Sequence, residues 1–219
     1  MRTLTARVAT KFLKKSSPNL ELHIYDFDGN LFRSPEPPEW WDKKKLGNWF
    51  ASETSLGRPF IPDVAPSDAW IESVVRQARA SIADPNVWAI LCTGRVGHRA
   101  MSYRVAELLK NKGLDFDEVY LNDLGSKTAP YKQKVVMKVL TRLPQIRGIQ
   151  IWEDTKENIT AIEKIADRNG LSFQGHLINP TPYSIDHISL ADYLDFLLEN
   201  GENSESKYDR LYQAYYGEY

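Results

Sequence analysis

The chain has 219 residues, of which 42% are hydrophobic and 26% are charged. This length suits one α/β domain with additions, and the composition argues against a largely disordered chain. A formal net charge of -1 gives no reason to expect indiscriminate binding to nucleic acid or anionic lipid. No apolar run is long enough for a membrane span, and nothing points to an obligate protein partner. The single cysteine excludes an internal disulfide and a cysteine zinc cluster, and it fits a reducing compartment such as the cytoplasm.

Residues 1–20 form a basic extension without a single acidic residue. Within it, Leu4, Val8 and Phe12 recur every four residues, as on an amphipathic helix. Three interpretations fit this pattern: an organelle transit peptide, an arm that contacts phosphate, or a leading helix packed on the domain. A cytoplasmic protein is expected, with organelle targeting left open by this segment.

Strand-like and helix-like segments alternate through the expected main domain at 21–200, before a C-terminal segment at 201–219 that is either a short helix or a loose tail. Apolar runs predict strands at 22–25, 87–92, 119–121, 149–152 and 173–178. Amphipathic spacing predicts helices between and after them, one capped by Ser67 or Asp68 and one closed by Gly113. This alternation predicts an α/β fold, a three-layer sandwich around a mainly parallel, Rossmann-like sheet.

Residues 33–66 interrupt the alternation with prolines, tryptophans and charges that show no sustained period. Such a stretch predicts a long loop or a small insertion, here called the flap.

Two carboxylates, Asp26 and Asp28, follow directly on the first predicted strand. Two acids at this spacing can act on a shared metal and phosphate, where one attacks and the other handles protons, although a solvated or helix-capping turn has the same pattern. Asp26, Asp28 and Asn30 also match the start of a calcium-binding EF-hand loop. That interpretation fails because Leu31 stands where the loop needs glycine and Pro37 where it needs glutamate.

Thr93, Gly94 and Arg95 end the second predicted strand with a hydroxyl, a flexible backbone and a guanidinium. A hydroxyl with backbone N–H groups in a tight turn forms a concave site for an anion, whereas the plain alternative is an ordinary strand-to-helix turn. Cys92 is not the nucleophile of a cysteine phosphatase loop, because such a loop needs arginine where His98 stands.

Lys127 and Lys132 stand near the start of a predicted helix, where an ammonium group and the helix N-terminus can face the same anion. A solvated surface lysine is the plain alternative for each. Glu153 and Asp154 follow a later strand, with Asn158 one helical turn beyond. Adjacent acids at a strand end are costly to leave unpaired, so a cation is a natural partner, although the acids could also cap the next helix. Because ligands bind beyond the carboxyl ends of parallel strands, we expect all these motifs to meet at one edge.

In this order the motifs resemble those of the haloacid dehalogenase (HAD) superfamily, and the match lies at Asp26–Asn30, Thr93, Lys132 (or Lys127) and Glu153–Asp154. More narrowly, four segments are similar to the HAD proteins of the Swiss Army Knife RNA repair type: Tyr25–Pro37, Trp40–Trp41, Leu91–Arg95 and Ile151–Asp154. Similar motifs occur in the phosphatase domains of polynucleotide kinase-phosphatases.

The resemblance implies a Mg²⁺-dependent phosphatase in which Asp26 attacks phosphorus and forms an aspartyl-phosphate. Asp28 would protonate the leaving oxygen and then activate water. The metal would be held by Asp26, Asp154 and the backbone carbonyl of Asp28, while Thr93 and Lys132 balance the phosphoryl charge.

The resemblance also places Glu153 behind the metal ligands, with Asn158 orienting it or a metal-bound water. Asn30 departs from the family, which usually has threonine or valine at this position. Its amide could replace the threonine hydroxyl. The departure also motivates a rival interpretation, a phosphate-binding module without turnover.

The intervals between the motifs predict no large cap domain, since only about twenty residues separate Lys132 from Asp154. By family analogy, an open site favours a phosphate on a polymer end or on a protein.

Four residues are expected to contact the substrate: Arg95, Lys127, Trp40 and Trp41. In the flap, Trp40 and Trp41 could stack on unpaired bases while the neighbouring lysines follow phosphates, or they could anchor the loop over the core. The leading hypothesis is a phosphatase acting on RNA or DNA ends or on nucleotides, and its rival within the class is a small-metabolite phosphatase.

Overall fold

A computed structural model describes residues 11, 14, 16–123, 125–179, 183, 188–200 and 205–217, without the side chains of 205–208 and 210. Its centre is a parallel sheet of five strands in the order β3-β2-β1-β4-β5. The strands are β1 (Leu20–Tyr25), β2 (Val87–Val96), β3 (Glu118–Asn122), β4 (Ile146–Glu153) and β5 (Ser172–Leu177). The strand order switches between β1 and β4, because the chain adds β2 and β3 on one side of β1 and then β4 and β5 on the other. Ligands bind at such a switch point in open α/β sheets.

The α-helices are α1 (Lys43–Leu46), α2 (Glu72–Ala83), α3 (Arg99–Lys112), α4 (Thr128–Arg142), α5 (Lys156–Arg168), α6 (Leu190–Glu199) and α7 (Glu205–Tyr216). Three short 3-10 helices lie at Trp49–Ala51, Glu53–Leu56 and Ser67–Ala69. In the described part of the chain, no helix combines the length and the apolar character that crossing a membrane requires.

Two apolar cores lie on opposite faces of the sheet. Successive side chains of a strand point to opposite faces, so β1 sends Tyr25 into the core shared with α2 and α3, and Leu22 and Ile24 into the core shared with α4 and α5. Ala89 and Ile90 divide β2 in the same way. The result is a helix–sheet–helix sandwich, which confirms the predicted fold class.

The predicted second strand ends too early, because β2 continues to Val96. Thr93 pairs with Leu121 and Val96 with Asn122 of β3, and the register shifts between the two pairs. Thr93, Gly94 and Arg95 therefore lie in an irregular end of the strand itself rather than in a turn after it.

The predicted N-cap of α2 at Ser67 or Asp68 is wrong. These residues form a separate 3-10 turn, and α2 begins at Glu72 with no side-chain cap. Trp70 bridges Phe32, and the Ile71 N–H donates to the Leu31 carbonyl at 3.0 Å. This extended pairing separates the turn from the helix. By contrast, Gly113 ends α3 in the left-handed conformation with a φ of 71°, as predicted.

The flap packs against the C-terminal helices. Trp49 and Phe60 of the flap form an apolar cluster with Tyr193, Leu197 and Leu211 of α6 and α7. Residues 205–216 of the predicted C-terminal segment are therefore a helix docked on the flap. The interval from Lys132 to Asp154 holds the rest of α4, a three-residue connection and all of β4, which leaves no room for a cap domain there.

The basic N-terminal segment can be followed in part, since residues 1–10 lie outside the described residues. Lys14 is buried, and its ammonium group contacts Asp117 Oδ2 at 2.8 Å and the Ile82 carbonyl at 2.9 Å. Lys11 donates to the Asp117 carbonyl at 2.6 Å. Asp117 precedes β3, so both lysines lie at the amino edge of the sheet, away from the strand ends that carry the acids. These contacts favour a packed leading segment over a phosphate-contacting arm for these two residues.

Candidate active site

The predicted motifs meet around one open pocket of about 390 Å³ at the carboxyl edge of the sheet. Its floor and walls include Asp26 and Asp28 after β1, Gly94 and Arg95 in β2, and the β4 end. Parallel strands bring their carboxyl ends together, so motifs separated by many residues in sequence become neighbours here.

Asp26 lies at the bottom of the pocket, and its carboxylate contacts the ammonium group of Lys132 across 3.0 Å. Lys132 is 1% exposed and belongs to the second turn of α4, because this helix begins at Thr128. Among the described residues, no aligned hydrogen-bond donor reaches Asp26 Oδ1, although Lys132 is close. Burial raises the pKa of Asp26 and outweighs the opposing effect of Lys132.

Glu153 is fully buried behind Asp26 and shares the same lysine. Its Oε2 accepts a short hydrogen bond from Lys132, and its Oε1 accepts one from Asn158 Nδ2 at 2.9 Å. Burial and the nearby Asp26 raise the pKa of Glu153. Burial alone would lower the pKa of Lys132, but Asp26 and Glu153 together raise it well above its usual range. Lys132 is therefore charged at neutral pH.

Asp154 completes a cluster of acids at the pocket. One carboxylate oxygen each from Asp26, Glu153 and Asp154 lies within 4.8 Å of the other two. With Asp28, four carboxylates at the pocket stand against two cations, Lys132 and Arg95. When all are ionised the site has a formal excess of two negative charges, which is the charge that one divalent cation neutralises.

Asn30 supports the turn that carries Asp26. Its side chain is completely buried, and its Nδ2 donates to the main-chain carbonyl of Asp26 at 3.0 Å. Its Oδ1 has no hydrogen-bond partner among the described residues. The Asn30 amide thus supplies a hydrogen-bond donor for the main-chain carbonyl of Asp26. In the same turn Gly29 has a φ of 63°, a conformation that favours glycine.

Thr93 and Gly94 bring β2 close to the start of α4. Thr93 is buried, and its Oγ1 accepts the Arg95 backbone N–H at 3.2 Å, so its hydroxyl proton stays available for donation. A Cβ atom on Gly94 would come within 2.8 Å of Thr128 Oγ1. Glycine at this position therefore lets α4 approach closely enough for Lys132 to reach Asp26.

Arg95 is not placed to bind the substrate directly, contrary to the sequence prediction. Its side chain is fully buried, and its Nη2 donates to Asp28 Oδ1 at 2.6 Å. The Nε group also donates to the same carboxylate, at 2.9 Å to Oδ1 and 3.0 Å to Oδ2. The guanidinium is thus occupied by Asp28 and by residues of the flap, which leaves it no donor directed at a ligand.

Trp40 and Trp41 belong to the apolar cluster of the flap and do not line the described pocket. The Trp40 ring stacks on Tyr193 of α6, and its Nε1 donates to the Ile188 carbonyl at 2.9 Å. Trp41 meets Trp49 edge to face. The prediction that this pair contacts the substrate is not supported, and its alternative, an anchor for the flap, describes these contacts.

Phe50 is the flap aromatic that lines the pocket, beside Asn48 and Ala51. It was missed as a site residue because the Trp40–Trp41 pair dominates the local composition. Ser34 and Ser55 contact the Asp28–Arg95 pair. Ser55 gave no signal in the sequence, and Ser34 stood out only as part of the segment Tyr25–Pro37. Lys127 is exposed at the N-cap position of α4, and it does not line the pocket.

A family model described as HAD domain family 1 in Swiss Army Knife RNA repair proteins matches residues 17–202. Among curated proteins, the uncharacterized protein YMR265C of Saccharomyces cerevisiae is 25% identical over 166 residues, which make up 65% of this chain and 36% of that protein. The chain thus spans about a third of the length of this relative.

Two solved structures also align with the chain. The Pnkp1/Rnl/Hen1 complex aligns at 13% identity and a TM-score of 0.45, over 74% of this chain and 47% of that one. The HAD domain of the effector protein Lem4 from Legionella pneumophila aligns at 14% identity and a TM-score of 0.43, over 85% of this chain and 98% of that one.

Proposed function

The chain belongs to HAD domain family 1 of the Swiss Army Knife RNA repair proteins, and from this premise we propose that it is a Mg²⁺-dependent phosphomonoester hydrolase. The observation that carries the proposal is the meeting of Asp26, Lys132 and Asp154 at one strand edge, where acids outnumber cations. A divalent cation would neutralise this excess of acid, and a phosphoryl group together with Mg²⁺ is a ligand pair that suits the site.

In the proposed reaction Asp26 is the nucleophile. One of its carboxylate oxygens attacks phosphorus, the bond to the leaving oxygen breaks, and Asp28 donates a proton to that oxygen. Asp28 then takes a proton from water, which attacks the aspartyl-phosphate and releases inorganic phosphate and free Asp26. The buried Lys132 fixes the Asp26 carboxylate for attack, and the Thr93 hydroxyl supplies a donor for a phosphoryl oxygen.

The described residues fit a Mg²⁺ ion. Asp26 Oδ1 is buried without an aligned donor, and Asp154 lies beside it as the more exposed acid. We assign the ion to Asp26, Asp154 and the backbone carbonyl of Asp28, because Mg²⁺ prefers oxygen ligands. Both oxygens of Glu153 already accept hydrogen bonds, so Glu153 orients Lys132 instead. When bound, the cation would neutralise phosphoryl charge.

For the substrate we propose a phosphorylated nucleic acid end or a nucleotide. The pocket is open, and the described residues include no cap domain over it, so a phosphate on a polymer end has access. Phe50 gives the flap side of the pocket an aromatic ring on which a base can stack. A small-metabolite phosphatase is the rival within the class, and a phosphate-binding module without turnover is the rival outside it.

Turnover of p-nitrophenyl phosphate tests the enzymatic claim. With Mg²⁺, we expect release of phosphate that Asp26→Asn reduces by at least about 10⁴-fold, because the nucleophile is lost while the shape is kept. Chelation of the metal should remove activity reversibly. Unchanged turnover in Asp26→Asn would contradict the assignment of Asp26 as the nucleophile. Phosphate binding without turnover in the wild type would favour the binding module.

A substrate panel tests the second claim. Phosphate release is compared among 3′- and 5′-phosphorylated oligonucleotides, mononucleotides and sugar phosphates. We expect Phe50→Ala to raise KM for oligonucleotides about tenfold, since one base stack contributes about 1–3 kcal/mol. Trp40→Ala is the matched control: it should lower stability and leave KM unchanged. Equal activity on sugar phosphates and oligonucleotides would count against the nucleic acid substrate.

A further inference from the structure

The Arg95 side chain connects the candidate acid/base to one wall of the pocket. On one side its guanidinium donates three hydrogen bonds to the Asp28 carboxylate, two from Nε and one from Nη2. On the other side its Nη1 donates to Ser55 Oγ at 2.7 Å and to the Phe50 carbonyl at 3.2 Å. The guanidinium carbon also lies 5.8 Å from the centre of the Phe50 ring. We call residues 48–56 the flap wall, because Asn48, Phe50 and Ala51 line the pocket.

The hydrogen bonds to Asp28 are distributed unequally between its two carboxylate oxygens. Oδ1 accepts from Nε and Nη2 of Arg95 and also from the Ser34 hydroxyl, whereas Oδ2 accepts only the longer 3.0 Å bond from Nε. The Asp28 side chain keeps 23% of its surface exposed. Asp28 lines the pocket; its Oδ1 is fixed by several donors, while its Oδ2, with a single contact, retains capacity to carry a proton.

Other side chains hold the flap without touching Asp28 in the described contacts. Arg104 of α3 donates to the Leu56 carbonyl at 2.8 Å and to the Pro62 carbonyl at 2.6 Å. His98 contacts the Ala51 carbonyl at 3.3 Å. Docking of the flap can therefore be weakened separately at Arg104 and at Arg95, and only the second change alters the surroundings of Asp28.

We propose that Arg95 is a positioning residue that couples the flap wall to Asp28. It holds Asp28 by Oδ1 so that Oδ2 exchanges protons with the leaving oxygen and with water, and the flap wall holds Arg95 in turn. Correct seating of the flap wall is then a condition for acid/base catalysis. This proposal rests on the proposed phosphatase function, in which Asp28 is the acid/base.

The kinetic test uses two substrates of similar shape, benzyl phosphate and p-nitrophenyl phosphate. A benzyl alkoxide needs a proton to leave and p-nitrophenolate does not, so loss of a positioned acid affects the first substrate selectively. We expect Arg95→Met to lower kcat/KM about 10²-fold for benzyl phosphate and less than about tenfold for p-nitrophenyl phosphate. Arg104→Met is the matched control and should affect both substrates equally. An equal loss in Arg95→Met, or a selective loss in Arg104→Met, would overturn the proposal.

Ser55→Ala tests the coupling with a gentler change, and it also replaces Arg95→Met if that variant does not fold. It removes one hydroxyl on the flap side of Arg95 and nothing that touches Asp28. We expect a selective loss of a few-fold on benzyl phosphate. Equal kcat/KM ratios for the two substrates in Ser55→Ala and the wild type would show that the flap wall does not act through Arg95.

A measurement independent of turnover separates this proposal from the proposed function. Amide hydrogen exchange is followed in the wild type and in Asp28→Ala, which deprives Arg95 of its carboxylate. We expect at least about tenfold faster exchange in residues 48–56, with β1 as the unchanged internal reference. Unchanged exchange in the flap wall overturns the coupling, whether or not the protein turns over phosphate. Faster exchange of residues 48–56 in Asp28→Ala, together with no turnover by the wild type, would contradict the phosphatase function and still support the coupling between Asp28 and the flap wall.

Discussion

The two edges of the sheet each hold a buried lysine, and the two lysines differ in their surroundings. At the amino edge, Lys14 meets one carboxylate, Asp117, and donates another hydrogen bond to a backbone carbonyl. At the carboxyl edge, Lys132 lies between two carboxylates, Asp26 and Glu153. Both lysines are 1% exposed, so burial does not distinguish them.

The difference lies in the balance of charge. The Lys14 pair is neutral and its ammonium protons find acceptors within the fold, so it can hold the N-terminal segment in place without any ligand. Around Lys132, burial first and neighbouring acids second raise the pKa values of Asp26 and Glu153, and the carboxylates outnumber the cation. A balanced buried pair indicates a structural contact, and an unbalanced one indicates a site that is completed by a ligand.

Among the changes proposed here for the two edges of the sheet, replacing Lys132 should have the largest effect, and the effect should be on kcat. We expect Lys132→Met to lower kcat about 10²–10³-fold, because the phosphoryl group and Asp26 lose a fixed cation in a buried site. Steady-state kinetics with p-nitrophenyl phosphate would measure this loss, and Lys127→Met is the control on the same helix that should change kcat little. A similar loss in both variants would mean that long-range charge, rather than the contact with Asp26, is responsible.

Replacing Lys14 should lower stability and leave kcat unchanged, which is the opposite of the effect expected for Lys132. We expect Lys14→Met to lower the free energy of unfolding by about 3 kcal/mol, because Asp117 is left buried without its cation. The kcat of the folded protein should not change. Urea unfolding followed by tryptophan fluorescence measures the loss, and Lys11→Met, which removes a more exposed contact to a backbone carbonyl, should cost less than about 1 kcal/mol. Equal losses would mean that the two lysine contacts contribute alike and that the buried ion pair has no special weight.

Magnesium and pH should act together at the carboxyl edge, and this is the smallest of the expected effects. A carboxyl pKa that is raised in the folded protein means that folding favours proton uptake, so Asp26 and Glu153 make the metal-free protein more stable as the pH falls from neutral towards the usual carboxyl range. Mg²⁺ competes with these protons, and its stabilising effect should therefore grow as the pH rises.

At neutral pH and free Mg²⁺ of about ten times Kd, we expect about 1.4 kcal/mol of stabilisation, measured as a rise in Tm. Asp154→Asn should remove most of this rise, while Lys14→Met should retain it at a lower Tm. A Mg²⁺ effect that is equally large at acid and neutral pH would contradict competition with protons at Asp26.

The role of the aromatic residues in the flap could not be predicted from the sequence. Its aromatic composition gave equal support to base stacking and to packing, because a tryptophan buries its ring against whatever surface the fold presents. The helices α6 and α7, far along the chain, provide that surface for Trp40 and Trp41, whereas Phe50 packs against the same cluster and also lines the pocket. Arg95 is a similar case. A guanidinium beside a phosphate motif has the chemistry to bind substrate, and only the approach of Asp28 and Ser55 directs it elsewhere.

The sequence by itself determined the alternating strands and helices, the sandwich around a parallel sheet, and the acids and lysine gathered at its carboxyl edge. These follow from local periodicity and from the rule that parallel strands end on the same side, so they need no knowledge of distant contacts. The tertiary structure decided which lysine faces Asp26, which acid has free oxygens, and which flap aromatic lines the pocket. Such choices depend on distances of a few ångströms between residues far apart in the chain. They set the charge balance that distinguishes the ion pair of Lys14 from the candidate active site around Lys132.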